Sequence, residues 1–370
     1  MELQVLQESL SKALTICSRF TSSKIQLPVL ANVLLKTQNN KLFLSATNLE
    51  TSVAIKIGAK VLSEGDITVP ARIITEVVSN LDPGQISFNV KKEIINIKTS
   101  SFESSITGLN SSDFPRVPIE TGADSFKIPS DDFLKALSSI LFAVSQDETR
   151  PVLTGVLIII DKGNLTLVAT DGFRLSQKKI GIQTIKEDKR FIIPKSVLVE
   201  LSKIAASEDI VFSYRKTDNQ LVLGLEDLTL SSRIIEGDFP DFERIIPKET
   251  KIRIHLDKGG FLRAVKLAGV FARDSANVVK ISVSKGLLEI VAESSQSGRQ
   301  KNQLEAKIEG DLKDSFTIAF NYRFVEDFLN AVKGEDIRLE LSDANAPALF
   351  LDEKDSNFIH IIMPVRLQAE

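Results

Sequence analysis

Apolar and polar positions along the chain change period in a fixed order. Leu3 and Val5 alternate with polar neighbours as a strand does; Leu6, Leu10, Ala13, Leu14 and Cys17 then recur three and four apart, predicting a helix to about Arg19. After a loop from Phe20 to Gln26 come three alternating runs, Pro28–Leu35, Lys41–Ala46 and Ser52–Ile57. The order then starts again. Ile67–Val69 reads as a strand, Pro70 opens a helix through Ile73, Ile74, Val77 and Val78 to Leu81, and Asp82-Pro83-Gly84 stops it. Strands over Ile86–Val90, Ile94–Lys98 and Phe102–Leu109 complete the second half. One domain is therefore two β-α-β-β-β halves.

The whole pattern recurs at a period of 123 residues, the spacing of Ala46, Ala169 and Ala292. Pro151–Leu157 answers Pro28–Leu34, and Phe191–Pro194 followed by Val197, Leu198, Leu201 and Ile204 answers the Val69-Pro70 helix start. Gly237-Asp238-Phe239-Pro240 answers Ser112-Asp113-Phe114-Pro115, and Met363-Pro364 echoes both. The third copy is more diverged: Phe316–Phe320 keeps the strand-to-helix position, but Asn277-Val278-Val279 stands where the others have Pro-Val-Leu. The expected domains are 1–122, 123–249 and 250–370 in an α+β fold, each with its own core. Similar domains in series meet head to tail and leave two free ends, so a second chain joining those ends would close six domains into a ring.

The middle copy differs from the first where a strand runs into a polar turn. Leu44 to Ser52 and Leu167 to Ser176 are related, but only the second has a glycine, Gly172, and an arginine, Arg174, at the turn. Aligned backwards from Ser52 and Ser176, Glu50 falls on Arg174 and the second copy has one extra residue beside Gly172. A charge reversed at a reshaped turn marks the middle copy as the place to look for function.

With 43% hydrophobic and 26% charged residues the chain reads as globular, and no run approaches the roughly 18 apolar residues of a membrane span. No N-terminal secretion signal is present, so a cytoplasmic location is expected. The net charge of −3 hides an uneven distribution: the predicted helices 6–19, 71–81, 130–144, 195–205, 257–274 and 321–333 sum to +3, leaving −6 elsewhere. Helices sharing one face would make that face basic. Cys17, the one cysteine, lies on an apolar helix stripe and reads as core. The two histidines, His255 and His360, sit in alternating strands without metal-ligand spacing. The carboxylate pairs Asp131-Asp132 and Glu326-Asp327 are explained by helix capping and solvation. Nucleotide-binding glycine motifs are missing, and no bond-making constellation stands out; the expectation is a protein that is not an enzyme and needs no cofactor or metal.

Leu27-Pro28-Val29-Leu30, Arg150-Pro151-Val152-Leu153, Ala169-Thr170-Asp171-Gly172-Phe173-Arg174-Leu175, Asp238-Phe239-Pro240-Asp241-Phe242 and Met363-Pro364-Val365-Arg366-Leu367, in this order and at this period, resemble the bacterial DNA polymerase sliding clamp family, the beta subunit of DNA polymerase III. The resemblance covers the whole chain. It implies a homodimeric ring of six domains around double-stranded DNA, helices lining the hole and sheets outside. DNA would be held without regard to sequence, and there would be no membrane association. The family's partners are the polymerase III alpha subunit, other proteins carrying a clamp-binding peptide, and the clamp loader ATPase.

Carried over by motif, the peptide pocket would use Leu153, Thr170, Gly172, Phe173, Arg174 and Leu175, then Pro240, Arg244 and Ile245, with Pro347 on a strand beside the tail Met363, Pro364, Val365, Arg366 and Leu367. An apolar groove rimmed by arginines suits an apolar, partly acidic peptide. Many members have histidine where this chain has Phe173, and this chain continues past the usual final leucine with Gln368-Ala369-Glu370. Lys24 and Gln146 fall at loop positions expected to touch DNA, and Phe102 with a Val270-Phe271 turn is expected at the dimer contact. Against this processivity clamp stands one other reading, a ring-shaped peptide-binding scaffold that does not encircle DNA.

Overall fold

The computed structural model describes residues 1–22, 27–122, 125–161, 163–182, 188–205, 208–284, 286–310, 312 and 316–367. The first repeat reads β1 (Glu2–Leu6), α1 (Gln7–Ser18), β2 (Asn32–Gln38), β3 (Lys41–Thr47), β4 (Thr51–Gly58) and β5 (Lys60–Ser63). Its second half is β6 (Asp66–Pro70), α2 (Ala71–Ser79), β7 (Gln85–Lys91), β8 (Ile94–Lys98) and β9 (Glu103–Thr107). The second repeat reads β10 (Ser125–Ile128), α3 (Ser130–Ser138), β11 (Gly155–Asp161), β12 (Asn164–Thr170) and β13 (Arg174–Gly181). It continues with β14 (Lys189–Pro194), α4 (Lys195–Ile204), β15 (Ile210–Arg215), β16 (Gln220–Gly224) and β17 (Leu228–Arg233). The third reads β18 (Ile252–Asp257), α5 (Lys258–Ala272), β19 (Val278–Ser284), β20 (Leu287–Ser294), β21 (Gly298–Glu305) and β22 (Lys307–Gly310). β23 (Phe316–Asn321), α6 (Tyr322–Ala331), β24 (Asp336–Leu341), β25 (Ala348–Asp352) and β26 (Phe358–Ile362) end it.

Each repeat has the expected order of elements, but its halves exchange their first strands. β1 pairs with β7 and β6 with β2; β10 pairs with β15 and β14 with β11; β18 pairs with β24 and β23 with β19. Each half-sheet is therefore completed by a strand that precedes the helix of the other half. The sheets also run on from repeat to repeat. β4 of the first pairs antiparallel with β17 of the second, and β13 of the second with β26 of the third. By backbone proximity the chain forms two compact units, Met1–Ser130 with Ser196–Ile234 and Asp131–Lys195 with Ile235–Glu370; each holds one of these joints whole.

Several boundaries differ from expectation for local reasons. Pro28–Leu35 and Pro151–Leu157 do not start as strands: Pro28–Ala31 and Pro151–Leu153 are 3-10 turns. Proline at their first position fixes φ, and Leu30 and Leu153 N–H close the turns on the carbonyls of Leu27 and Arg150, both at 3.0 Å. α3 stops at Ser138 rather than Val144, where the hydroxyls of Ser138 and Ser139 both donate to the Lys135 carbonyl (2.7 and 3.0 Å) and compete with the helical ladder. The edge strands β5 and β22 went unforeseen. Val270 and Phe271 lie inside α5, not in a turn, because the apolar spacing Phe261, Ala264, Val265, Ala268 and Ala272 continues through them. No helix among the described residues is long and apolar enough to cross a membrane.

The helices bury one stripe each. In α1 this is Leu10, Ala13, Leu14 and Cys17, whose thiol burial pushes up out of the reactive range. Gln7, also on that face, is tied down by donating to the Val78 carbonyl at the end of α2 (2.8 Å).

Candidate functional site

β12 and β13 are joined by a turn wired by its own side chains. Thr170 Oγ1 donates to the Arg174 carbonyl (2.6 Å) and accepts from Gly172 N–H (3.1 Å), while Asp171 Oδ1 accepts from Phe173 and Arg174 N–H (2.9 and 3.0 Å). Gly172 sits at φ 92°, and a Cβ there would lie 3.0 Å from Arg150 Nη1. The β3–β4 turn of the first repeat is wired identically. Thr47 Oγ1 donates to Thr51 O and accepts from Leu49 N–H, and Asn48 Oδ1 accepts from Glu50 and Thr51 N–H. The two turns are the same length, so the alignment with an extra residue beside Gly172 is wrong. Gly172 replaces Leu49, itself held at φ 76°, Phe173 replaces Glu50, and Arg174 replaces Thr51. The longer turn belongs to the third repeat, where Ala292 pairs with Gln300 while Ala46 pairs with Val53 and Ala169 with Ser176.

Arg174 points inward, not at the rim. Its side chain is 10% exposed; Nε donates to Asp171 (3.0 Å), Nη1 to Asp327 of α6 (2.5 Å) and Nη2 to the Phe142 carbonyl (2.7 Å), with the guanidinium 4.5 Å from the Phe324 ring centre. Every face of the guanidinium is occupied, so the expectation that it supplies rim charge is corrected. Asp327 is likewise no idle solvated carboxylate. Below the turn, His360 pairs with Ser176 across β13 and β26, Ser176 Oγ to Nδ1 2.8 Å, and stacks on Phe328 at 5.4 Å. Burial, and then the Arg174 charge, hold its pKa well below the ordinary histidine value. Lys195 is lowered by burial first and Arg174 second, with Asp327 opposing.

Above this network lies a mostly apolar hollow of about 70 Å³, lined by Leu153, Thr170, Gly172, Phe173, Arg174, Leu175, Pro240, Phe242, Ile245, Ile361 and Met363. Its floor is the cluster of Leu153, Leu157, Val168, Leu175, Phe239, Phe242 and Ile361. Met363 N–H donates to the Phe173 carbonyl (2.8 Å), which lays the start of the tail along the turn. Phe173 is 60% exposed and stands over the mouth.

Six expected residues do not line the hollow. Arg244 is 86% exposed and pairs with Asp241 (2.7 Å). Pro347 lies just before β25, not on a strand. Past Met363 the tail leaves the groove, Val365 N–H donating to the Ala319 carbonyl (2.8 Å); this carries Pro364 and Val365 away and leaves Arg366 and Leu367 exposed. Phe242 and Ile361 were missed, although Phe242 closes the Asp238–Phe242 motif and Ile361 stands two residues before Met363 on an alternating strand. Arg150 was missed too: over Gly172 it donates to the Asp171 carbonyl (3.2 Å) and pairs with Asp147 (3.1 Å), whose carboxyl is held low mainly by Thr149 and then Arg150.

Gln146 is exposed in the loop before Arg150, whereas Lys24 and Gln368–Glu370 lie outside the described residues. Phe102 is half-buried just ahead of β9, and Val270 is 56% exposed on α5. Among the described helices α5 is the most basic, with Lys258, Arg263 and Lys266 and no acidic residue.

Three family models match in succession: the DNA polymerase III beta subunit N-terminal domain over residues 1–118, central domain over 127–241 and C-terminal domain over 243–366. The chain belongs to the DNA polymerase III beta subunit family. As a member it is 26% identical to the beta sliding clamp of Staphylococcus aureus, over 99% of both chains. Its fold is similar to the DNA polymerase sliding clamp of Bacillus subtilis (TM-score 0.94, 26% identity, 100% of both chains). It is similar too to the DNA polymerase III subunit beta of Pseudomonas aeruginosa (TM-score 0.93, 25% identity, 99% of this chain and 100% of that one). Within this beta-subunit chain the central-domain match carries Leu153 to Pro240 of the groove, and the C-terminal-domain match carries Ile245, Ile361 and Met363.

Proposed function

We propose that the protein is a DNA sliding clamp, a homodimeric ring that encircles double-stranded DNA and tethers the replicative polymerase and other replication proteins by short apolar peptides bound in the groove over Gly172. The observation that carries this reading is the pair of internal joints. β4 meets β17 and β13 meets β26, and among the described residues the corresponding strands β21 and β9 stand at the edges of their sheets. An exposed edge strand is a template for another chain, and two copies have the two complementary edges that a closed ring of six domains requires. The repeats 1–122, 123–249 and 250–370 are its three units per chain.

In this reading Lys24, Gln146 and the basic face of α5 touch the DNA backbone weakly and without sequence preference, so contact falls with salt while topology does the holding. The neutral walls of the hollow favour an apolar anchor, and the Arg150 guanidinium beside Gly172 favours an acidic neighbour to it. The protein carries no catalytic step of its own, acts in the cytoplasm and is placed on DNA by a clamp loader ATPase. The test is retention: loaded onto nicked circular duplex, the protein stays through gel filtration and is lost when the circle is cut. Equal retention on circular and linear DNA, or none on either with peptide binding intact, would leave the peptide-binding scaffold as the better reading.

A further inference from the structure

The two internal joints fix which residues must face each other if a third joint forms between protomers. Matching ladders through the sheets puts Ser104 of β9 at the position of Leu230 in β17 and His360 in β26, because Ile97, Leu223 and Phe350 pair with them in turn. On the other side, Gln300 of β21 holds the position of Val53 in β4 and Ser176 in β13, since Ala292, Ala46 and Ala169 pair with them. At the internal joints these positions are directly opposite: Leu230 with Val53, His360 with Ser176.

Resting on the dimeric reading, we infer that the protomers meet in one register, with Ser104 opposite Gln300 of the partner subunit and Glu103 opposite the partner's Lys301, and that these two polar pairs select it. The chain shows an unmet need at this position. Gln300 Oε1 is buried without a hydrogen-bond partner among the described residues. At the same position of the second joint Ser176 is satisfied by His360 across the strands, and the Ser104 hydroxyl comes within reach of Gln300 when β9 is added and the amide rotates. The charges agree. Glu103 and Lys301 now pair with Lys98 and Glu289 on the neighbouring strands of their own sheets, and this register puts opposite signs face to face; a two-residue slip one way faces Glu103 with Gln303, and the other way faces it with Arg299 but leaves Gln300 opposite Phe102. The apolar surroundings follow as well. Phe102 takes the place of Leu228 and Phe358, both buried at their joints, and Asn302 stands opposite it. On the helix side, matching the buried stripes of α1 and α5 puts exposed Val270 where Arg19 reaches Glu200 of α4 in the first joint, and exposed Ile73 lies on α2, the counterpart of α4.

Residues directly opposite in an antiparallel pair have Cα atoms about 4.5–5.5 Å apart, within disulfide range, whereas a slip of two residues puts them beyond it. Cys17 is buried and cannot compete. The full-length double variant S105C/R299C, oxidised at micromolar concentration, is expected to cross-link into a covalent dimer, and S105C/L304C and S105C/K301C are expected to stay uncross-linked. Separately, E103K is expected to weaken the dimer about tenfold in sedimentation equilibrium, since each ring has two joints, and E103K/K301E to recover to within about threefold of wild type. Cross-linking of S105C/K301C in place of S105C/R299C would overturn the register, and no recovery in the double charge swap would overturn the pairing. A wild-type protein that stays monomeric would instead sink the dimeric reading itself.

Discussion

Replacing Gly172 by leucine separates the groove from the fold that carries it. The residue sits at φ 92°, where a side chain costs roughly 1–2 kcal/mol relative to glycine, and its Cβ would meet only Arg150 Nη1, the far end of a flexible chain. Displacing Arg150 forfeits one exposed hydrogen bond to the Asp171 carbonyl, about 1 kcal/mol at most. The first repeat already carries leucine at this place, Leu49 at φ 76°, on an identically bonded turn. Unfolding free energy should therefore drop by only about 1–3 kcal/mol. Binding is a different matter, because the leucine side chain projects into a hollow of about 70 Å³ and takes the room of the partner's anchor. Burying one large apolar side chain is worth about 1.5–3 kcal/mol, so affinity for a labelled apolar hexapeptide should fall about tenfold to hundredfold in fluorescence anisotropy. Leu49→Gly is the matched control and should leave peptide affinity unchanged. Wild-type affinity in Gly172→Leu would show that the hollow is not the anchor site.

Arg174→Met and Asp327→Asn, alone and together, should reveal a coupling of about 1–3 kcal/mol by urea denaturation; Asp327 is 41% exposed, which keeps the value below that of a fully buried pair, and strict additivity would show the contact to be incidental. His360 has a folded pKa well below its ordinary 6.5, so the unfolded chain takes up the proton first as pH falls. Its contribution is therefore full above about pH 6.5 and lost below it, by up to about 1.4 kcal/mol per pH unit. His360→Leu should flatten that part of the stability profile, and an unchanged slope would place the titration elsewhere. Deleting Met363 to Glu370 removes one wall of the groove and should raise the peptide Kd at least about tenfold while leaving the sedimentation of the dimer alone, a result that equal affinities would contradict.

What was legible along the chain was whatever a period or a repeat could encode. All six helices stand where the three-and-four spacing puts them, and the 123-residue recurrence of Ala46, Ala169 and Ala292 survives as the register of three equivalent hairpins. The exchange of first strands was not legible, since alternation in β1 and β6 says that they are strands and nothing about which half they join. Arg174 shows a second limit. An arginine after a glycine turn reads as exposed, and only the fold brings Asp327, 153 residues on, to meet it. The false insertion beside Gly172 arose from anchoring on Ser52 and Ser176, which are not equivalent; the hydrogen bonds of Thr47 and Thr170 align the turns and serine identity does not.

The first joint has a hollow of its own, of about 190 Å³ and more polar, along Ala54, Ile55, Lys56, Leu228 and Thr229; that only the second has a mostly apolar one beside its turn follows from a few exchanges on a common backbone. The first joint pairs Ser52 with Ser231 where the second pairs Leu175 with Ile361, and it donates Arg233 N–H to the Glu50 carbonyl where the second donates Met363 N–H to that of Phe173. Ser52 and Ser231 satisfy one another at 2.6 Å and remain buried, so that position needs neither ligand nor extra apolar wall. With Leu175, Ile361 and Met363 in their places the same positions are apolar, and with glycine for Leu49 nothing from the turn fills the space above them. Such a surface is left undersupplied with contacts, and a partner's apolar side chain is what restores them. The Arg174 charge stays out of this exchange because Asp171 and Asp327 pair with it below the hollow. The hollow can then discriminate by shape and apolar area, and the turn beneath it stays rigid whether or not it is filled.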